Sequence, residues 1–425
     1  MRKYDSYKSS DIEWLDTLPY SWNTRRIKDI SSVISKGTTP STEGEAYTDF
    51  GVRYIKAENI IENGTVSELP AFFISDKTNK LLARSILKSN DLLMVIAGAT
   101  TGKVAVIKNE QLPANTNQAV CFIRLHNSEK INLRFKYYFL NSSFLQSQVW
   151  LYAVTSAQPN LPMAVLSRFH ICYPPLIEQT AIAQYLDTKT QAIDKKVNLL
   201  EKKIGYYKEL RKSIINETVT KGLDKNVKLK DSGIYYISSI PEHWLIQRIK
   251  DKFKIGRGRV ISQEELIEEG MFPVYSSQTE NNGCLGYINS YDFDKDLLTW
   301  TTDGANAGTV FRRKGKFNCT NVCGTLIPIR MDLDLDFMVY ALQESATHNK
   351  RIDTNGAKIM NNEMAVIQVT FPPIEEQTAI ATYLDHKTQT IDKIVTNIQK
   401  QIATLKELRK TLINDVVTGK IKVVE

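Results

Sequence analysis

The sequence predicts an α+β protein. Two mixed α/β domains are joined and spaced by two long helices that form an antiparallel coiled coil with internal pseudo-two-fold symmetry. Three observations carry this reading. Residues 174–220 recur as residues 372–418 with 29 identities in 47 positions, no gap, and an offset of 198. Within each copy, apolar residues return every seven positions. The longer stretches ahead of the copies share little identity, yet carry the same order of apolar runs and glycine turns. A period near half the chain means duplication of a whole module rather than a solenoid. Two similar modules in one chain imply an approximate two-fold axis without a second copy.

The elements follow in order. Residues 12–29 align with 234–251, where Pro19, Trp22, Arg26, Ile27, Lys28 and Asp29 match Pro241, Trp244, Arg248, Ile249, Lys250 and Asp251. A Pro and a Trp three apart predict a short packed turn leading into a strand, and this match starts the second module near residue 223. The domain boundaries expected are 1–172 and 223–370 for the two α/β blocks, and 173–222 and 371–425 for the helices. In the blocks, Asp91-Leu92-Leu93 and Asp296-Leu297-Leu298 each open an apolar run. Each run meets a glycine loop (98–102; 304–308), then a strand (104–107; 310–312), then Thr116-Asn117 or Thr320-Asn321. Shared order with divergent residues predicts one fold carrying two surfaces. Short helices are expected near 132–148 and 335–349.

The long helices show the coiled-coil period. Leu186, Ile193, Leu200, Tyr207 and Ile214 form one row of the first, with Val197 and Ile204 in the second row. Leu384, Ile391, Ile398, Leu405 and Leu412 form the matching row of the second, with Val395 and Ile402 beside it. A Pro pair and Glu178, or Glu375 and Glu376, suit the helix entries, while Gly222 and Gly419 mark the exits. Neither helix can bury its stripe in one small domain, so the two copies are expected to pair with each other.

Composition narrows the class. The chain has 425 residues, 42% hydrophobic and 24% charged, a globular balance. No apolar run approaches membrane-spanning length, the first residues lack an apolar signal core, and five cysteines are too few for a disulfide framework. A cytoplasmic protein is the expectation. Net charge is +8. Basic clusters at Lys250, Lys252, Lys254, Arg257 and Arg259, and at Arg312, Arg313, Lys314 and Lys316, suit a polyanion.

Side chains able to read base edges and phosphates crowd the block loops. The first block offers Thr38, Thr39, Arg53, Tyr54, Lys56, Asn59, Lys103, Asn117, Gln118 and Gln158. The second offers Arg257, Arg259, Tyr275, Ser276, Gln278, Asn281, Asn282, Asn306 and Lys358. Catalytic patterns fail one by one. Gly98-Ala-Thr-Thr-Gly102-Lys103-Val104 is a residue short of a phosphate loop and has Val where magnesium needs a hydroxyl. Gly256-Arg-Gly258-Arg lacks a third glycine, and Tyr173-Pro174-Pro175-Leu176 lacks the Asn of an amino-methyltransferase motif. Cys319 and Cys323 have no second pair for zinc, and the five histidines show no ligand or triad spacing. A recognition or assembly role is expected, with no catalytic residue, metal site or cofactor in this chain.

With its double PPxxEQxxIAxYLDxKTxxID…KELRK…V element alternating with divergent blocks, the chain resembles the DNA-specificity (S) subunit of type I restriction–modification enzymes. The resemblance covers essentially the whole length. It implies two target-recognition domains, each reading half of a split, asymmetric double-stranded DNA target. It implies helices that set the gap and bind two modification subunits. Those partners would carry S-adenosylmethionine and methylate adenine; restriction/translocase subunits would add ATP- and magnesium-dependent chemistry. The alternative is a two-module DNA-binding regulator, or an assembly scaffold without methyltransferase partners.

Overall fold

The computed structural model describes residues 2–61, 64–126, 131–153, 159–354 and 356–423. Two compact units form: residues 1–200 with 400–425, and residues 201–399.

Each unit is built on one four-stranded antiparallel sheet. In unit 1 the strands run Ser31–Lys36, Val120–Leu125, Leu92–Val95, Val104–Val106 across the sheet. In unit 2 the order Phe253–Arg257, Cys323–Pro328, Leu297–Thr301, Val310–Arg313 repeats it. The runs that begin Asp-Leu-Leu supply the strands Leu92–Val95 and Leu297–Thr301, which are buried at every residue. Apolar packing covers both faces of Leu92–Val95, so it reads as an unbroken apolar run. Leu297–Thr301 instead sets Leu298 and Trp300 in the core and alternates them with the buried Thr299 and Thr301. A second sheet also recurs. Val52–Ile55 lies parallel to Ala114–Thr116, and Phe272–Tyr275 lies parallel to Lys316–Cys319. One fold therefore carries both divergent blocks. The glycine loops keep their geometry as well: φ is +98° and +95° at Gly98 and Gly102, and +84° and +85° at Gly304 and Gly308. The helix expected near 132–148 is two helices, Leu133–Leu140 and Ser143–Tyr152, broken where Ser142 caps the second. Its counterpart is continuous over Leu335–His348.

The Pro–Trp turn forms twice. Trp22 and Trp244 are fully buried, and each indole residue's amide donates to the Pro19 or Pro241 carbonyl at 2.9 Å. The long helices span Leu176–Lys221 and Ile374–Val417. Both exit through a left-handed glycine, Gly222 and Gly419, each at φ +76°. A Cβ on Gly419 would strike the Pro19 ring in unit 1, and one on Gly222 would stand 3.0 Å from the Trp244 ring in unit 2. Segments distant in sequence thus close each unit. Leu412, Ile413, Val416 and Val417 join the core of unit 1, and Ile215 and Val219 that of unit 2.

The repeated identities are explained by what they hold. Gln179 and Gln377 are buried; each accepts from the amide of a helix N-cap, Asn132 at 2.7 Å or Asp334 at 2.9 Å. Each also donates to a proline carbonyl, Pro174 or Pro372. Asp187 and Thr190 take the Tyr138 hydroxyl at 2.6 and 3.1 Å; Asp385 and Thr388 take that of Tyr340 at 2.7 and 3.1 Å. Burial, reinforced by the carboxylate, pushes both phenols up to about 12. In unit 1 Arg409 donates to Asp194 at 2.9 Å, which lays residues 400–417 beside residues 176–200. In unit 2 Arg211 meets Asp392 at 3.2 Å, which sets residues 201–221 beside residues 374–399. The heptad residues Leu186, Val197, Leu384, Ile391, Ile398, Ile402 and Leu412 are buried, and Ile193, Leu200, Ile204, Tyr207, Ile214, Val395 and Leu405 are half-buried.

Candidate nucleic-acid interface

In unit 1 the loop after Ser31–Lys36 meets the Thr116-Asn117 turn. Gly37 allows the approach: a Cβ there would collide with the Thr116 carbonyl, and its amide donates to the Asn117 carbonyl at 3.0 Å. Thr39 donates through its amide, 3.3 Å, and its hydroxyl, 2.5 Å, to Gln118 Oε1. Arg84 Nη2 stands 3.5 Å from Thr38 Oγ1. Thr38, Thr39, Asn117 and Gln118 therefore share one polar patch, with Arg84, which sequence reasoning missed, at its side.

Other expected residues of this block belong to the scaffold. Tyr54 is fully buried in a strand that lies between two apolar clusters, and its hydroxyl donates to the Thr38 carbonyl at 2.7 Å. Asn59 is fully buried; its amide donates to the Pro70 carbonyl at 2.8 Å and its oxygen accepts from the Lys56 amide at 3.0 Å. Both were expected to face DNA, and burial removes them from it. Arg53 is half-buried, and its Nη2 donates to the Ser67 and Glu68 carbonyls at 2.6 and 2.7 Å. That end of its guanidinium is unavailable for a paired contact to guanine. The Lys56 ammonium lies 3.4 Å from the Phe72 ring centre and 4.4 Å from that of Tyr47. Two aromatic faces thus hold this cation. Lys103 lines a separate cleft of about 390 Å³ with Gln146, Trp150 and Lys410. Gln158 lies outside the described residues.

In unit 2 the loop 276–284 carries Gln278, Asn281 and Asn282, and the glycine loop 304–308 comes beside it. Asn306 Nδ2 donates to Thr279 Oγ1 at 3.3 Å, and the Ser276 amide donates to the Gly283 carbonyl at 2.9 Å. Gln278 Nε2 donates to the Cys284 carbonyl. Asn281, Asn282 and Asn306 are exposed, so three amide side chains converge at one surface. Arg257 is exposed, with Nη2 3.6 Å from the Met360 sulfur. Arg259 is tied to Glu265 at 2.8 Å and Asp292 at 3.2 Å, and the first carboxylate holds its pKa above the ordinary value. Tyr275 is half-buried against Arg313, and Lys358 lies on a two-stranded ribbon, paired with Arg351.

The basic clusters are thinner than the sequence implied. Lys252 bridges Asp332 at 2.8 Å, Arg312 bridges Asp296 at 2.9 Å and also Asp336, and Arg313 is buried. Carboxylates far away in sequence neutralise much of what reads locally as a cationic run. None of the described helices is long and apolar enough to cross a membrane.

Two segments, residues 19–202 and 241–404, match the family model described as type I restriction modification DNA specificity domain. A putative type I specificity subunit of Mycoplasma pneumoniae is 32% identical over 246 residues, which are 58% of this chain and 92% of that one. The N-terminal part of another from the same organism is 44% identical over 139 residues, 32% of this chain and 74% of that one. Among solved structures, a chain from work on assembly and conformational transition of the type I R-M system has a TM-score of 0.75 at 16% identity. It covers 95% of this chain and 99% of its own. The HsdS subunit from Thermoanaerobacter tengcongensis has a TM-score of 0.55 at 16% identity, covering 97% of this chain and 100% of its own. At such identities the structural likeness establishes the fold.

Proposed function

The chain belongs to the type I restriction–modification DNA specificity family, and we propose on that premise that it is the non-catalytic subunit that chooses the DNA target. Each recognition domain, 1–172 and 223–370, reads one half of a bipartite, asymmetric double-stranded site. The spacer helices, 173–222 and 371–425, set the gap and dock two modification subunits, through which restriction/translocase subunits join. S-adenosylmethionine, ATP and magnesium act in those partners, and the complex works in the cytoplasm. The observation that carries the reading is one sheet order and one set of helix clamps, used twice beneath two different loop surfaces. A shared scaffold gives both readers the same approach to DNA, and different loops give them different sequences.

In unit 1 the surface groups that suit base edges are Thr38, Thr39, Asn117 and Gln118; in unit 2 they are Asn281, Asn282, Asn306 and Arg257. Asn and Gln amides pair with adenine, and an unencumbered Arg with guanine. Mapping adenine methylation in the host, with and without this chain, tests the reading. A split motif with unlike halves should vanish on deletion. Replacing Arg257 by Ala should cost about 1–3 kcal/mol at one base pair of one half only. A continuous or palindromic motif would overturn the assignment.

A further inference from the structure

The strand Val310–Arg313 ends on a guanidinium that the fold shuts away from water. Arg313 is 1% exposed. Its Nε donates to Thr299 Oγ1 at 3.0 Å and its Nη1 to the Asn282 carbonyl at 2.7 Å. Its Cζ lies 3.6 Å from the Tyr275 ring centre and 4.4 Å from that of Phe311. Nη2 has no hydrogen-bond partner among the described residues. Burial pulls the guanidinium below the ordinary arginine range. A buried charge held by carbonyl, hydroxyl and ring faces instead of a carboxylate is costly to keep. Something in the fold must depend on it.

What it touches is the most contorted loop of unit 2. Asn281 and Asn282 have φ of +48° and +52°, and Gly283 follows at +77°. Three left-handed residues in succession do not persist unaided, because each side chain with a Cβ is disfavoured there. The guanidinium grips this run from beneath through the Asn282 carbonyl. Gly283 fits over it because a Cβ there would stand 2.9 Å from Nη2. Above it, the Asn281 and Asn282 side chains are exposed beside Asn306. Unit 1 has no such device at the matching place: Leu92 pairs with Val106 where Leu297 pairs with Arg313.

We infer that Arg313 is a positioning residue for target discrimination: it fixes the Asn281–Asn282–Gly283 run so that the two asparagine amides meet base edges at a set angle, without itself reaching DNA. The inference rests on unit 2 being a DNA reader. An asparagine amide discriminates adenine through two hydrogen bonds at once, so a small tilt of its backbone forfeits the pair.

The test uses the full chain co-expressed with its own modification subunits, as wild type, Arg313→Met, Arg313→Lys and Gly283→Ala. Two quantities are read. One is the ratio of affinity for the methylome-defined target over targets changed in either half. The other is hydrogen exchange of the amides at 276–284 in the DNA-free protein. For Arg313→Met, discrimination at one half of the target should fall on the order of tenfold or more. Discrimination at the other half and the salt dependence should hold, and exchange in the loop should rise. Arg313→Lys should retain part of both. A folded Arg313→Met protein with unchanged discrimination or unchanged loop exchange overturns the inference, as does a loss equal at both halves. If Arg313→Met does not fold, Gly283→Ala decides: its Cβ displaces the loop, and an unaltered target overturns the inference. If wild type discriminates no sequence, the DNA-reader assignment falls, and the exchange arm alone still decides whether Arg313 holds the loop.

Discussion

The two units place an arginine against the same sheet by opposite means. In unit 1, Arg124 meets Asp91 through two bonds, 2.8 and 2.7 Å, and Asp91 is 1% exposed. In unit 2 the aspartate that opens the matching run, Asp296, sits nearer the surface and pairs with Arg312. The buried Arg313 has no carboxylate and rests on rings, a hydroxyl and a carbonyl. Both sheets nonetheless keep one strand order. The scaffold is therefore not specified by either charge arrangement. It is specified by what the units share: buried apolar strands, left-handed glycines, the Pro–Trp turn and the helix clamps. Charges beneath the loops are free to differ, and with them the surfaces the loops present.

The most severe way to break the parity is to remove what one unit borrows. Unit 1 takes Leu412, Ile413, Val416 and Val417 from the far end of the chain, whereas unit 2 takes Ile215 and Val219 from the central helix. Burying each such side chain contributes about 1.5–3 kcal/mol. Losing four removes about 6–12 kcal/mol, comparable to the whole net stability of a domain, about 5–15 kcal/mol. Ending the chain after Gln399 should unfold unit 1 and leave the sheet of unit 2 intact. Hydrogen exchange read by mass spectrometry should show protection lost at 92–95 and 120–125 but kept at 297–301 and 323–328. Uniform loss, or none, would contradict this division of the core.

The next test separates the two aspartates. Asp91→Asn takes the charge from a buried carboxylate that half-buried Arg124 meets through two bonds, and should cost about 3 kcal/mol in unit 1. Asp296→Asn should cost less than about 1 kcal/mol in unit 2, because the Asp296 carboxylate is already exposed to water and Arg312 retains Asp336. Unit-resolved exchange under mild urea measures both. Equal costs would mean that the two carboxylates are equivalent after all.

These cases also show what a single sequence reveals. The long helices were legible because a heptad is a local pattern, and the Pro–Trp turn because its bond joins residues three apart. The common fold was legible from glycine loops, since left-handed backbone leaves a mark on composition. The partners of the repeated residues were not. Gln179 reaches Asn132, Asp187 reaches Tyr138, and Phe144 donates its amide to Asn414. No local pattern encodes such distant contacts. The candidate site suffered for the same reason. Tyr54 and Asn59 read as surface polar groups, but strands and loops from elsewhere in the block bury them. Arg313 read as one of a cationic cluster, but tertiary packing turned it inward. Asn281, Asn282 and Asn306 were legible because loops rich in Asn and Gly stay at the surface.

The smallest expected difference between the units comes where they share a clamp. Tyr138 and Tyr340 each donate to an aspartate and face a threonine of the repeated helix motif, at distances equal within 0.1 Å. Tyr138→Phe and Tyr340→Phe should each cost about 1.5–3 kcal/mol, the range for a hydrogen bond to a charged group. Both should fall in that range, since the hydroxyl–carboxylate bond is shared, although in unit 1 Asp187 also keeps Arg134 at 2.7 Å. Alkaline pH gives a second reading. In the folded protein both phenols are raised to about 12, above an unfolded value of about 10. A raised pKa means that the folded state holds the proton more tightly. The contribution is therefore complete below pH about 10 and is lost as pH rises through about 12. Between pH 6 and 9 the gap between wild type and either Phe variant should be flat; toward pH 12 it should close. Exchange rates within 133–140 and 335–348, followed across that range, measure it. A gap outside that range in either unit, or one that already narrows below pH 9, would show that the hydroxyl–carboxylate bond is not what these clamps contribute.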